Sequence, residues 1–307
     1  MMPSIEVIGA IPVSTARDLL PGWVASHATL EPEESVALEG QLVALVASVD
    51  DDAIAGLLAA FRDAGSEYRL FPADPFARSV TRIYMKALTP SRMVTGLERL
   101  DAFVAGGGRR MVVCNHLSYT DTQITDSLLC LEGRSPIADR LIAIAGPKVY
   151  TDAWRRLAAI SLNTRKTAQS SAVATEQEAL DARALATVAF ETMEDCARLM
   201  DDGSIILLYP EGTRSRTGRL QPFLRAAGRY LRIEGLRVLP MAQSGTDRIY
   251  PIDDPLMHPA TVSLAFGEPF SPADCPGRHG AVEEAWRRVA ALLPEDYQPT
   301  DTIATRM

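Results

Sequence analysis

Residues 110–121 read RMVVCNHLSYTD, an apolar run that gives way abruptly to polar side chains. The apolar part, 110–114, has the length and the β-branched content of a buried strand. His116 and Asp121 follow it closely, so both are expected at the carboxyl end of that strand. Open α/β sheets bind their ligands at this end. The stretch therefore predicts an α/β protein with a polar site just beyond its first strand.

The chain continues in the same alternating pattern up to residue 293. Further short apolar runs predict strands at 141–145, 204–209, 236–241 and 261–266. Longer amphipathic stretches predict helices near 121–131, 175–201, 223–234 and 280–293. We expect a mixed sheet flanked by helices.

The residues before Gly106 read as helical instead. Pro32 suits the first turn of one helix, and a second follows the acidic cluster at 50–52 and ends near Gly65. Two more are predicted at 76–88 and 91–105. The chain is therefore divided into an N-terminal helical region, 1–85, and an α/β domain, 86–307. The helical region could dock on the α/β domain, lie on a membrane surface or bind a partner, and its acidity favours docking over anionic lipid.

Composition narrows the class of protein. The chain has 307 residues, of which 47% are apolar, yet its longest apolar runs fall far short of the roughly 18 residues that span a bilayer. The first residues show no secretory signal, so the cytoplasm is the expected compartment, with peripheral membrane contact if a lipid is bound. The four cysteines form no C-x-x-C pair, which predicts neither a disulfide framework nor a metal site.

Charge is distributed unevenly along the chain. Residues 1–75 hold twelve acidic and three basic side chains, whereas 214–237 hold seven arginines and one acid, Glu234. Such a basic segment invites a phosphate, coenzyme A or an acidic carrier protein. A solvated helix face explains Arg229 and Arg232 equally well. Nucleic acid is not expected, because the basic residues are local and aromatic residues make up only 6% of the chain.

A histidine and an aspartate five residues apart can meet if the chain turns into a helix between them. The carboxylate would then fix the tautomer of the His116 imidazole, which could act as a general base toward a hydroxyl. A hydrogen-bonded core histidine is the alternative. His27, His258 and His279 have no matching partner in the sequence and are interpreted as surface or structural residues.

A second polar segment, YPEGTRSR at 209–216, also follows an apolar run directly. Gly212 permits a tight turn, and Arg214 and Arg216 offer planar guanidinium groups to phosphate oxygens. The alternative is an arginine-rich loop that pairs with nearby carboxylates such as Glu211.

Together these segments resemble the glycerol-3-phosphate and 1-acylglycerol-3-phosphate acyltransferase superfamily of phospholipid synthesis. NHLSYTD matches its His-x4-Asp motif and EGTRS its Glu-Gly-Thr-Arg-Ser block. Residues 146–148 (GPK) with 162–165 (LNTR) look like the second block, and 238–241 (VLPM) like the fourth. The resemblance covers roughly residues 105–270. The lack of a predicted membrane span, the helical N-terminal third and the Arg165-Lys166 and Arg214-x-Arg216 pairs are similar to the soluble plastid-type glycerol-3-phosphate acyltransferases.

The resemblance implies an O-acyltransferase in which His116 is the general base and Asp121 orients it. The donor would be acyl-CoA or acyl carrier protein, the acceptor a phosphate-bearing glycerol, and neither a metal nor a permanently bound cofactor is implied. By the same resemblance, the substrate-binding residues would be Asn115, Lys148, Arg165, Lys166, Glu211, Gly212, Thr213, Arg214, Ser215 and Arg216.

Three positions depart from the family pattern. Ala159 stands where glycine is common, and Leu224 and Ala226 stand where lysine and glycine are common. These changes bear on the identity of the acceptor. Three alternatives also stay open: the same chemistry on a non-glycerolipid alcohol or amine, a hydrolase that activates water, and a non-catalytic protein that binds lipid or acyl carrier protein.

Overall fold

The computed structural model describes residues 5–168, 180–277 and 279–300. Within these ranges the chain forms one mixed sheet with helices on both faces, as expected from the sequence. Its strand order is β1-β5-β4-β6-β3-β7-β8-β2. The strands are β1 Leu70–Phe71, β2 Ser91–Thr95, β3 Arg109–Cys114, β4 Leu141–Ala145, β5 Asn163–Lys166, β6 Ile205–Leu208, β7 Leu236–Ser244 and β8 Thr261–Phe266.

Among the described residues, four α-helices precede the first strand, and the others alternate with the strands or follow the last one. The α-helices are α1 Ile5–Ala10, α2 Val13–Ala25, α3 Pro32–Ala47, α4 Asp51–Asp63, α5 Pro75–Leu88, α6 Leu97–Ala105, α7 Asp121–Leu131, α8 Ser135–Ala138, α9 Ala153–Ile160, α10 Ala182–Asp201, α11 Thr246–Ile249 and α12 Gly280–Ala290. Short 3₁₀ helices cover Pro147–Tyr150, Arg225–Arg232, Pro272–Asp274 and Glu295–Tyr297.

The direction of the strands determines where the polar loops lie. β3 runs parallel to both β6 and β7, and β6 runs parallel to β4, which is parallel to β5. The carboxyl ends of these five strands therefore meet at one edge of the sheet. β3 is buried on both faces, which explains its unbroken apolar run. The loops that carry His116 and Arg214 leave this edge from adjacent strands, β3 and β6.

Several sequence-based expectations need correction. The helix expected over 91–105 is wrong for its first part, since Ser91–Thr95 is an edge strand beside β8 and only Leu97–Ala105 is helical. Gly96, with φ 75°, separates the two elements. The helix expected at 223–234 is a 3₁₀ helix over Arg225–Arg232. α10 begins at Ala182, and the earlier part of the helix expected from 175 lies largely outside the described residues.

The N-terminal helices share a hydrophobic core with the sheet. Leu42 on α3 and Ile54 on α4 belong to the same buried cluster as Val112 on β3 and Trp154 on α9. The expected docking of the helical region is therefore confirmed. The predicted boundary at residue 85 lies within α5, and the division into two domains stays a prediction.

None of the helices in the described part of the chain is both long enough and apolar enough to cross a membrane.

Candidate active site

His116 and Asp121 form a partly buried pair at the end of β3. The Nδ1 atom of His116 lies 2.8 Å from Oδ2 of Asp121, the first residue of α7. The same carboxylate accepts hydrogen bonds from the backbone N–H groups of Leu117 (2.7 Å) and Ser118 (3.0 Å). Asp121 is 1% exposed, whereas the imidazole is 18% exposed. A carboxylate at Nδ1 holds the proton there, so Nε2 of the neutral imidazole is left as the base.

The EGTRS segment fixes the backbone of His116 on both sides. The His116 N–H donates to Oε1 of Glu211 at 2.7 Å, and the His116 carbonyl accepts from the Ser215 N–H at 2.7 Å. Oε2 of Glu211 also accepts from the Gln221 N–H at 3.0 Å. The two sequence segments therefore converge, as their neighbouring strands require. Glu211 and Ser215, which the sequence assigns to substrate, are engaged in holding the loop of the base.

Tyr209 packs against the imidazole from the end of β6. Its ring is stacked on His116 with centroids 4.6 Å apart. The Tyr209 hydroxyl lies 3.0 Å from Oγ1 of Thr122 on α7, which fixes the ring in turn. With Asp121 at one nitrogen and Tyr209 on its face, the imidazole is held in one orientation.

Glu211 is a buried carboxyl with an unusual proton affinity. Burial raises its pKa from 4.5 to about 8, the negative charge of Asp121 adds to the rise, and the hydrogen bonds from His116 and Gln221 oppose it. The neutral carboxyl is therefore favoured in the folded protein, although both its oxygens accept hydrogen bonds.

Glu211→Gln is expected to remove a pH dependence of stability. Because the pKa in the folded state, about 8, lies above the ordinary 4.5, the contribution of this group is complete below pH 4.5 and is lost as the pH rises through about 8. Chemical denaturation from about pH 5 to about pH 9 should show a free energy of unfolding that falls more steeply in the wild type than in the variant. Exposed Glu33→Gln is the control, and equal slopes for Glu211→Gln and the wild type would contradict this assignment.

One cavity of about 410 Å³ opens beside His116. It is lined by cationic side chains, which are Lys148, Arg155, Arg214 and Arg229. It is also lined by apolar side chains, among them Ala143, Ala145, Ala159, Leu162, Leu185, Leu208, Leu224 and Ala227. A general base, anion-binding groups and an apolar wall therefore face the same space.

Gly212 lies in a tight turn of the cavity wall. Its φ of 72° lies in the left-handed region that favours glycine. The expected tight turn is confirmed. Thr213 and Arg214 follow it and also line the cavity.

The other proposed binding residues lie outside the cavity lining. Asn115 is fully buried, and its amide exchanges hydrogen bonds with the backbone of Gln243 on β7. Arg165 is 1% exposed and pairs with Asp195 of α10 at 2.8 Å. Lys166 donates to the carbonyl of Gly65 at 2.7 Å. Asn115, Arg165 and Lys166 thus make contacts within the protein, and Arg216 is exposed on the loop. Their predicted roles in substrate binding stay predictions.

Two residues of the cavity were not singled out by the sequence. Arg155 is in the first turn of α9, and Tyr119 lies between the two members of the His–Asp pair. Arg155 belongs to none of the quoted motifs. A basic residue close after the GPK segment was the one signal available.

His258 and His27 make contacts within the protein, away from the cavity. His258 has a partner after all, since its Nε2 lies 2.8 Å from Oδ2 of Asp254 and its Nδ1 lies 2.6 Å from Thr29 Oγ1. His27 is buried against Trp154, with ring centroids 4.9 Å apart, and burial lowers its pKa. No group of metal-binding side chains occurs in the portions of the chain that the structure describes.

Comparison with known proteins identifies the family of the chain. The family model described as Acyltransferase matches residues 91–244, half of the chain. This chain therefore belongs to the acyltransferase family.

Individual relatives match shorter stretches. The chain is 36% identical over 61 residues to the chloroplastic 1-acyl-sn-glycerol-3-phosphate acyltransferase BAT2 of Brassica napus, which is 20% of this chain and 18% of that protein. It is 28% identical over 89 residues to a 1-acyl-sn-glycerol-3-phosphate acyltransferase of Cocos nucifera, 29% of each. The chain thus matches less than a third of the length of these relatives. The solved structure of the 1-acyl-sn-glycerophosphate acyltransferase PlsC of Thermotoga maritima aligns with a TM-score of 0.47 and 19% identity, covering 70% of this chain and 76% of that one.

Proposed function

We propose that this protein transfers an acyl group from a thioester donor to a hydroxyl of a phosphate-bearing glycerol acceptor. The observation that carries the proposal is the shared cavity, in which the Asp121-paired imidazole of His116 and the guanidinium group of Arg214 face the same space. The names of the plant relatives agree with such an acceptor.

The proposed reaction uses His116 as general base and then as general acid. Nε2 takes the proton of the acceptor hydroxyl while its oxygen attacks the thioester carbonyl. The tetrahedral intermediate collapses, the C–S bond breaks, and the imidazolium returns the proton to the leaving thiolate. Asp121 stabilises the positive charge of the ring between these two steps. The products are an ester and a free thiol.

The apolar part of the cavity lining suits the acyl chain. Ala143, Ala159 and Leu185 present no charge to a bound hydrocarbon. We propose acyl-CoA or acyl carrier protein as donor, and the arginines of 214–237 suit the negative charge of either.

Peripheral membrane contact is part of the proposal if the acceptor is a lipid. Leu224 is 43% exposed although it also lines the cavity, and Arg225 beside it is exposed. An apolar side chain next to cations at a cavity mouth suits a membrane surface with anionic lipids. The cytoplasmic location stays a prediction.

A comparison of acceptors tests the proposed function. Thiol release from acyl-CoA and from acyl carrier protein would be followed with glycerol-3-phosphate, with its 1-acyl derivative and with glycerol. We expect release to depend on a phosphate-bearing acceptor. Equal release with glycerol would reject a phosphate acceptor, and release with neither phosphate compound would reject the glycerolipid assignment.

Arg214→Ala is expected to weaken acceptor binding. Loss of one charge-assisted contact to phosphate should raise the KM for the acceptor about tenfold to a hundredfold, with a smaller change in kcat. Steady-state kinetics with each substrate varied in turn would check this. A rise in the KM for the thioester instead would reassign Arg214 to the donor.

A further inference from the structure

Two guanidinium groups flank one aromatic ring in the cavity wall. The Cζ atom of Arg214 lies 4.3 Å from the centroid of the Tyr119 ring, and that of Arg155 lies 4.8 Å from it. The two arginines come from distant segments, the loop after β6 and the first turn of α9. Each guanidinium gains from its contact with the ring, which holds both charges close to one another.

Both guanidinium groups carry N–H donors that no acceptor in the described part of the protein takes up. Within the described residues, Arg214 has no hydrogen-bond acceptor, and neither Nη atom of Arg155 has one. Arg155 is anchored at Nε by Asp152, the N-cap of α9, whose carboxylate also accepts the Arg155 N–H at 2.8 Å. Its remaining N–H groups are therefore available to a ligand. By contrast, Arg165 is buried and paired.

The side chain of Tyr250 lies within the electrostatic range of both Arg155 and Arg214. Burial raises the pKa of its hydroxyl, and the positive charges of Arg155 and Arg214 both oppose that rise. The two like charges at one ring repel each other, although Asp152 offsets part of the charge of Arg155, and an anion that contacts both guanidinium groups would relieve the repulsion. Among the described lining residues Glu211 is the one carboxyl group, and it favours the neutral form. The net charge of the wall near Tyr119 is thus positive.

We propose that Arg155 is a second phosphate-binding arginine, which acts together with Arg214 and is held beside it by Tyr119. This inference rests on the proposed function and deepens it, because two guanidinium forks match the several oxygens of one phosphate dianion. The pair would make the site selective for a phosphate monoester over a neutral alcohol. Arg155 is then a determinant of acceptor class.

Substitution of Arg155 distinguishes a role in binding the acceptor phosphate from a role in binding the donor or in the stability of α9. In Arg155→Ala, we expect the KM for glycerol-3-phosphate to rise about tenfold to a hundredfold, the KM for the acyl donor to stay unchanged, and the slow turnover with glycerol to be unaffected. Arg155→Lys keeps the positive charge but loses the planar guanidinium group with its several donors. Its KM for glycerol-3-phosphate should lie between those of the wild type and Arg155→Ala. Arg92→Ala, on the far edge strand β2, removes the same charge away from the cavity and should match the wild type.

Two results would overturn the inference. One is a rise in the KM for the donor without a rise for the acceptor, which would place Arg155 at the phosphates of coenzyme A or of the carrier prosthetic group. The other is an equal loss with glycerol and with glycerol-3-phosphate, which would indicate a general effect on α9.

A binding measurement separates failure of this inference from failure of the proposed function. Calorimetric titration of glycerol-3-phosphate into the wild type and Arg155→Ala needs no turnover. Binding that weakens about tenfold or more in the variant supports the inference even if no acyl transfer occurs. Transfer that proceeds with unchanged acceptor affinity in the variant rejects the inference and leaves the proposed function standing.

Discussion

Replacing His116 with alanine is expected to lower acyl transfer on the order of a thousandfold, the usual contribution of a positioned general base. His116 is the one histidine among the described lining residues, and the hydrogen bond between its Nδ1 and Asp121 leaves Nε2 of the neutral ring as the base. The imidazole borders an open cavity, so its truncation widens an existing space instead of creating an enclosed void, and the fold should be retained. Thiol release and the circular dichroism spectrum of the variant would check both expectations.

The chain contains a matched control for this variant. His258 pairs with Asp254 at the same 2.8 Å, but it does not line the cavity. His258→Ala should therefore keep the activity of the wild type. Equal losses of activity in His116→Ala and His258→Ala would mean that each His–Asp pair serves the stability of the fold. The general base would then be another residue.

Asp121→Asn is expected to cause the second-largest loss, about a hundredfold to a thousandfold in kcat. Oδ2 of Asp121 accepts from both His116 Nδ1 and the Leu117 N–H, and Oδ1 accepts from the Ser118 N–H. An amide at this position must turn its NH₂ group toward at least one of these donors. In either orientation the imidazole loses the negative charge that stabilises the imidazolium, and with the NH₂ group in the place of Oδ2 it also loses its acceptor.

Kinetics and stability must be measured together for Asp121→Asn. A buried N–H left without an acceptor costs about 1–3 kcal/mol, so chemical denaturation should show a loss of that order. Asp254→Asn breaks the exposed pair and should change neither quantity much. A kcat for Asp121→Asn close to that of the wild type would remove the carboxylate from the mechanism.

The parts of the fold that depend on local pattern were predictable. β3 and β6 are short, buried on both faces and followed at once by polar residues, so the sequence predicts both the strands and the position of the site. β2 was missed because it is a mostly exposed edge strand, which leaves little apolar alternation to read. The 3₁₀ helix at Arg225–Arg232 has the same amphipathic residues as an α-helix, and only hydrogen bonding separates the two.

Within the site, the sequence gives the spacing of the motif residues but not the direction in which each side chain points. Arg165 and Lys166 are neighbours on β5, so their side chains point to opposite faces, and each meets a structural partner, Asp195 or the Gly65 carbonyl. The motif identified Glu211, which lines the cavity, but not the hydrogen bonds that it accepts from the His116 and Gln221 N–H groups. Arg155 was missed because its closeness to Tyr119 exists only in three dimensions.

The positions that depart from the family pattern all line the cavity. Ala159, Leu224 and Ala226 replace the common glycine, lysine and glycine, and they make its wall more apolar than the usual residues would. Because residue 224 is leucine, the cations that line the cavity are Lys148 and the arginines. Arg155 and Arg214 are therefore expected to contribute more to acceptor binding.

The most direct measurement quantifies thiol and ester together in one reaction of the wild-type protein, with and without glycerol-3-phosphate. If His116 activates an acceptor hydroxyl held by the arginines, thiol release should require the acceptor and should equal the amount of new ester. Thiol released at the same rate without acceptor, with free fatty acid as the product, would show that water is the nucleophile and that the cavity belongs to a hydrolase.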